Sequence, residues 1–154
     1  MRRKRGKPDF LSTDVLVPGL DLSASATYLD ARTLALSGRA STNAPEGSAT
    51  GKFLPNIPRW RATFVGAYQP MPPLALSVAG RYSSKLFTML DDADTHPNTY
   101  QGFSEWFVMD TKANLRLNEH WSGALGVDNL LNRRYLLFHP FPQRTFVASA
   151  RFGF

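Results

Sequence analysis

No cysteine occurs anywhere in these 154 residues. Disulfide frameworks, thiol nucleophiles and thiolate metal sites are therefore excluded together. Charge is also scarce, at 19% of residues. The formal net charge is +6, but Arg2, Arg3, Lys4, Arg5 and Lys7 supply five of it, leaving +1 over residues 8–154. A short basic tail is not a basic surface, and no RNA-binding signature or aromatic-interleaved basic face follows it, so no nucleic-acid partner is expected. Long apolar runs are missing too. The longest uncharged stretch, residues 62–80, carries Pro70, Pro72 and Pro73 at its centre, where lost donors and steric clashes would break a membrane-spanning helix. The segment Pro8–Asp14 is too polar for the apolar core of a secretory signal, so no signal peptide is visible.

Reactive constellations are equally absent. His96, His120 and His139 stand far apart in sequence, in no metal-ligand spacing. There is no Gly-rich phosphate loop, nucleophile elbow or paired-carboxylate motif. The residues thus point to no catalytic site, no metal site, no cofactor and no enzyme. Asp91-Asp92-x-Asp94 offers oxygen ligands for a hard cation, but it lacks the downstream Gly and Glu of an EF-hand, and a solvated loop is the plainer reading.

What the sequence does contain is strict period-two alternation. Leu20, Leu22, Ala24, Ala26 and Tyr28 alternate with polar residues, as do Trp60 to Tyr68, Leu74 to Tyr82, Phe107 to Leu117, Trp121 to Val127 and Phe146 to Phe154. Residues 10–17 carry a weak seventh pattern. The segments run about 9–11 residues, the length of a tilted bilayer-crossing strand, against about 5–6 for ordinary strands. Connections alternate as well. Residues 70–73 and 118–120 read as tight turns, whereas 31–57, 84–104 and 130–143 are long and rich in Gly, Pro, Ser, Thr and Asn. Outer-membrane barrels pair short periplasmic turns with long external loops in this way.

The charges sort with the alternation. Asp21, Arg59, Arg61, Arg81, Asp110, Lys112, Arg116, Asp128 and Arg151 all take the parity opposite the apolar residues. An arginine facing lipid near a bilayer midplane would cost about 2–4 kcal/mol, which gives the sorting a cause. Tyr28, Trp60, Tyr68, Tyr82, Phe107 and Trp121, with Phe146, Phe152 and Phe154, lie near segment ends on the apolar parity, as interfacial aromatics do; Phe64 is the mid-segment exception. The alternative is a soluble β-sandwich or β-barrel module with an apolar interior that binds a small apolar ligand. Periodicity alone does not distinguish inside from outside.

The last third adds specific motifs. Val127-Asp128-Asn129-Leu130-Leu131-Asn132-Arg133-Arg134-Tyr135 is followed by Arg144-Thr145-Phe146, and the chain ends Ala150-Arg151-Phe152-Gly153-Phe154. This combination resembles the C-terminal end of the β-barrel in TonB-dependent outer-membrane receptors. In that family the penultimate strand carries a valine–acid–Asn–Leu motif running to a Tyr, and the last strand opens on Arg–Thr/Ser–aromatic and closes on Phe. Upstream, Thr27–Ala31 and Leu54–Trp60 are similar to earlier barrel strands of the family, so the likeness covers residues 18–154, with 1–17 left as a basic segment holding a possible partial strand.

The resemblance implies an all-β fold, namely an antiparallel transmembrane β-barrel segment of six to seven long strands. The implied setting is the outer membrane and its lipid. Ala150, Phe152 and Phe154 would then be the signal read by the barrel-assembly machinery. Arg133, Arg134 and Arg144 would stand near an external rim, within reach of anionic lipid, though such arginines are more often simply solvated. A whole receptor of this kind would work with TonB and take up a ferric siderophore or similar nutrient. Its barrel has about 22 strands around a plug, so this sequence is expected to be the C-terminal portion of one, without plug or energy-coupling segment.

Overall fold

Six of the alternating segments form strands, and a computed structural model describes them within residues 11–12, 17–35, 45, 47–92 and 99–154. The strands are β1 (Leu11–Ser12), β2 (Leu20–Tyr28), β3 (Trp60–Met71), β4 (Leu74–Ser83), β5 (Trp106–Arg116), β6 (Trp121–Asp128), β7 (Leu136–Leu137), β8 (His139–Pro140) and β9 (Thr145–Phe152). One antiparallel sheet has the order β1-β2-β3-β4-β5-β6-β9, and β7 and β8 make a separate two-stranded ribbon. The sheet is a meander that does not close on itself. The weak pattern at residues 10–17 contributes only Leu11 and Ser12, which pair with Ala24 and Ser23. Residues 1–10, with the basic run, lie outside the described residues, as do 13–16. Among the described residues no helix is long and apolar enough to cross a membrane.

Register carries the alternation intact from strand to strand. Leu22 pairs with Gly66 and Ala24 with Phe64. Gly66 pairs with Val78 and Phe64 with Gly80, while Val78 pairs with Thr111 and Leu76 with Ala113. Ala113 then pairs with Leu125, and Leu125 with Ala148. Because a one-residue slip would exchange the faces of a strand, this chain of pairs keeps one continuous apolar face over six strands. Every charged residue within those strands falls on the other face.

The turns are built as their residues require. Asn118 Oδ1 accepts the backbone N–H of His120 at 2.9 Å and of Trp121 at 2.8 Å, an Asx turn that reverses the chain between β5 and β6. Between β3 and β4 the reversal is tighter than residues 70–73 suggest. β3 continues through Pro70 to Met71, which pairs with Leu74, and the register shifts between Tyr68 and Met71. A bulge is one of the few places where a strand tolerates proline, since the ladder there needs no N–H. Beside it Gly19, at φ 79°, lies so close to the Gln69 carbonyl that no Cβ would fit, and Gln69 N–H donates to the Gly19 carbonyl at 2.7 Å.

No second layer covers the sheet among the described residues. Apart from Pro58, Gly66 and Gly80, their buried apolar residues are only Ala49, Val108 and Tyr135. Leu125 is 68% exposed and Phe146 75%, and Leu22, Leu76, Phe107, Leu115, Trp121 and Phe152 are exposed beside them. A soluble sandwich or closed small barrel would bury this face. Here it is bare, and a contiguous apolar surface of this extent marks contact with another protein or with a membrane.

Candidate functional site

The two ends of the sheet differ in chemistry. At one end lie the tight turns at Pro72–Pro73 and residues 117–120. Aromatic residues gather there on the apolar face: Tyr68 pairs with Leu76, and Trp121 pairs with Phe152, their rings 5.0 Å apart. Phe154 meets Phe152 edge-on at 5.3 Å and is otherwise fully exposed. Ala150 pairs with Gly123. At the other end Tyr28 pairs with Trp60, with rings 4.8 Å apart, and Tyr82 pairs with Phe107. The sequence-predicted aromatics thus form two bands, one at each end of the strands. Phe64, between the bands, lies over Gly80 on the neighbouring strand.

All three long connections meet at the Tyr28–Phe107 end. The first joins cations to rings. The Arg32 guanidinium lies 4.3 Å from the Phe53 ring centroid, and that of Arg59 lies 4.9 Å from the same ring. Arg59 donates to the Tyr28 hydroxyl at 2.8 Å, and this bond raises its pKa above the ordinary arginine value. Phe53 stacks on Phe87 at 5.9 Å, and Phe53 N–H donates to Asp92 Oδ2 at 3.1 Å. Asp92, offered by the sequence as a cation ligand, instead pins a loop backbone; Asp94 lies outside the described residues.

The motif residues at 127–146 form a hydrogen-bonded cluster at this end. Asn129 is only 5% exposed and sits in the left-handed region at φ 51°, which Asn tolerates better than most residues. Its N–H donates to Asp110 Oδ1 at 2.9 Å. Its Nδ2 donates to the carbonyls of Arg133 at 2.9 Å and Pro142 at 3.2 Å, and its Oδ1 accepts from Arg133 N–H at 2.8 Å. Asp110 Oδ2 is held by Arg81 Nη2 at 2.8 Å. Asn132, at φ 52°, accepts Arg144 N–H at 3.1 Å, and Arg144 Nε donates to the Leu130 carbonyl at 3.0 Å. Thr145 Oγ1 donates to the Gln143 carbonyl at 3.0 Å.

Arg81 of β4, Asp110 of β5 and the loop from Asn129 to Arg144 are therefore tied at one point on the charged face. Tyr135 folds over it, stacking with Trp106 at 5.1 Å and Phe141 at 5.0 Å, and Val108 lies in the same cleft, 1% exposed. Burial raises the Tyr135 phenol pKa above 10.0, a lowering by Arg81 notwithstanding. Val127 and Phe146 pair on the apolar face, and Asp128 pairs with Thr145 on the charged one. Arg134 is exposed.

Sequence reasoning missed two members of this region. Ser104, 2% exposed, accepts Leu136 N–H on its Oγ at 3.1 Å and donates its own N–H to the Leu136 carbonyl at 2.9 Å. It stitches the loop before β5 to the loop before β9. The β7–β8 ribbon falls within residues 130–143, which read as loop in the sequence. Neither shows alternation or a motif, so no signal in the sequence could have found them. Among the described residues no three His, Cys, Asp or Glu side chains gather as a metal site.

Comparison with known proteins gives a consistent result. The family described as TonB dependent receptor-like, beta-barrel, matches residues 9–130. No curated protein sequence matches. Among solved structures, the siderophore receptor PiuA from Acinetobacter baumannii superposes with TM-score 0.67 at 20% identity, covering 92% of this chain and 20% of that one. A mutant of the ferric enterobactin receptor PfeA from Pseudomonas aeruginosa gives 0.65 at 20% identity, covering 94% and 21%. The ferric-catecholate import receptor Fiu from Escherichia coli K12 gives 0.62 at 20% identity, covering 90% and 19%. At these identities the likeness is one of fold, and the chain spans about a fifth of the length of each.

Proposed function

The chain belongs to the TonB-dependent receptor β-barrel family, and from that membership we propose that it is the C-terminal part of the barrel wall of a receptor that takes up a ferric siderophore or a similar nutrient. The family is one of outer-membrane transport receptors rather than enzymes. The observation that carries the reading is the bare apolar face held in register over six strands between two aromatic bands. That arrangement suits a wall with lipid on one side and a polar lumen on the other.

In this reading the charged face with Arg61, Arg81, Asp110 and Lys112 lines the lumen, and the Asn129 knot holds the last external loop inward. Ala150, Phe152 and Phe154 serve as the recognition end for the barrel-assembly machinery. The long loops at the Tyr28–Phe107 end face outward, where a nutrient arrives, and TonB acts from the periplasmic side of the whole receptor. An open sheet in lipid leaves edge N–H and C=O groups unpaired at several kcal/mol each, so uptake belongs to the closed barrel and not to these strands by themselves.

Two measurements test this. The chain should fold to β structure only in detergent or lipid, and a monodisperse monomer in plain buffer would overturn the barrel reading. Disrupting its gene should lower uptake of iron supplied as ferric siderophores. Unchanged uptake across catecholate, hydroxamate and carboxylate siderophores would overturn the nutrient assignment while leaving the barrel wall standing.

A further inference from the structure

We infer that the turn end of the charged face holds a basin for a small polycarboxylate solute, which names a chemical class for the nutrient and rests on the barrel reading above. The basin has a volume of about 600 Å³, and the register sets its shape. Arg116 of β5 pairs with Ser122 of β6, and Ser122 pairs with Arg151 of β9. Two arginines thus flank one serine in a row across three strands. The next row toward the loops is Asn114, Ala124 and Ser149, and Lys112 stands beyond it, paired with Gly126. At about 4.8 Å between strands and about 3.4 Å per residue, the cations mark a triangle with sides of about 10 and 14 Å over a floor of short side chains.

These cations are unmatched. Lys112, Arg116 and Arg151 make no ion pair among the described residues, and no acid lines the basin. The outer half of the same face is built differently, with Arg81 held by Asp110 at 2.8 Å. Like charges gathered on one sheet face repel, and low-dielectric walls around a lumen strengthen their field. An anion set among them relieves that repulsion. One carboxylate or phosphate spans too little of the triangle to meet all three. A solute with two or three carboxylates meets them together, its oxygens taken by the guanidinium forks and the ammonium. The hydroxyls of Ser122 and Ser149, with no hydrogen bond among the described residues, donate from the floor. An acidic polypeptide would meet the same charges, but a triangle of this size matches one compact molecule rather than the length of a chain.

The test uses the full chain in zwitterionic micelles at low ionic strength, titrated calorimetrically with citrate, acetate, inorganic phosphate and a hexaglutamate peptide. Citrate should bind about twentyfold more tightly than acetate, each added carboxylate contributing about fivefold. Lys112→Gln, Arg116→Gln and Arg151→Gln should each weaken citrate binding about fivefold, and together about a hundredfold. Arg61→Gln, an equal loss of charge in the outer half of the same face, should leave it unchanged. Full binding by the triple variant, an equal loss in Arg61→Gln, or phosphate binding as tight as that of citrate would overturn the basin. Hexaglutamate binding more tightly than citrate would make it a contact for an acidic protein segment and overturn the solute. A chain that stays folded in detergent-free buffer overturns the barrel reading and the lumen site with it. A chain that enters micelles but binds citrate no better than acetate overturns the basin alone.

Discussion

The ring of Phe64 lies over Gly80 of the adjacent strand, in the space a side chain at residue 80 would occupy. The two residues are directly paired in the ladder, so the ring covers backbone that glycine leaves bare, and it also stacks on Phe107 at 6.5 Å. Covering an exposed glycine with a cross-strand aromatic is a known device for pinning register. It also explains why one aromatic stands between the two aromatic bands.

Phe64 and Gly80 should therefore be energetically coupled. Gly80→Val forces the ring away, and Phe64→Ala uncovers the glycine. With both changed, the new valine occupies the vacated space. Urea unfolding in lipid should give a double variant more stable than the sum of the singles implies, with a coupling of about 0.5–3 kcal/mol. Strict additivity would show that the ring and the glycine do not act together.

The two sheet faces make opposite predictions for one substitution. Leu125 and Ala124 are neighbours on β6 and point to opposite faces. Leu125→Arg places a charge on the apolar face and should cost about 2–4 kcal/mol in a bilayer. Ala124→Arg, on the charged face beside Asn114 and Ser149, should cost far less. Equal costs measured by denaturant unfolding in vesicles would mean that the apolar face does not meet lipid.

Asn129 should be the least replaceable residue of the last loop. Asn129→Ala removes two donors and one acceptor that close the loop and places alanine at φ 51°. Lost buried hydrogen bonds cost about 1–3 kcal/mol, and the left-handed backbone adds about 1–2 kcal/mol. Limited proteolysis in detergent should show new cleavage within residues 130–144 while the strands stay protected. Asn129→Asp, which keeps the acceptor but turns a carboxylate oxygen toward the two carbonyls the amide served, should loosen the loop at least as much. Unchanged cleavage would remove the knot as the loop's anchor.

Alkaline pH should loosen the same loop through Tyr135. Burial favours the neutral phenol in the folded state and raises its pKa above 10.0. Its contribution is then complete below pH 10 and is lost as pH rises through the higher folded value. A Tyr135→Phe variant, with no proton to lose, should show a shallower loss of loop protection above pH 10 in hydrogen exchange and proteolysis. Identical alkaline profiles would mean that Tyr135 stays solvated.

How much of this was legible in the sequence depends on which force shaped each part. Strand faces were legible because successive side chains of a strand point to opposite faces of the sheet, so Leu22, Phe64, Leu76, Leu125 and Phe146 declare one face by spacing. The Val127–Phe146 motif pointed to the right loop but not to its geometry. What Asn129 does depends on Asp110, 19 residues away, and local pattern does not encode that distance. Ser104 and Leu136 meet through loop packing, with no periodicity behind it. Pro70 misleads for another reason, since proline marks a turn in most contexts and the bulge between Tyr68 and Met71 absorbs it.

Phe154 offers the sharpest separation between folding and assembly. It is fully exposed and meets the ring of Phe152 edge-on, while Phe152 itself packs on Trp121. Removing Phe154 should then cost under about 0.5 kcal/mol, as at other surface positions, and refolding into detergent should proceed as before. Phe152→Ala loses a packed aromatic pair, worth about 0.5–1.5 kcal/mol, and should lower stability in the same assay. If Phe154 is read by an assembly machine, its deletion should instead reduce the amount of chain inserted into membranes in cells, measured by heat-shifted electrophoretic mobility and by outer-membrane fractionation. Normal insertion after deletion would leave Phe154 as an aromatic of the turn-end band and nothing more.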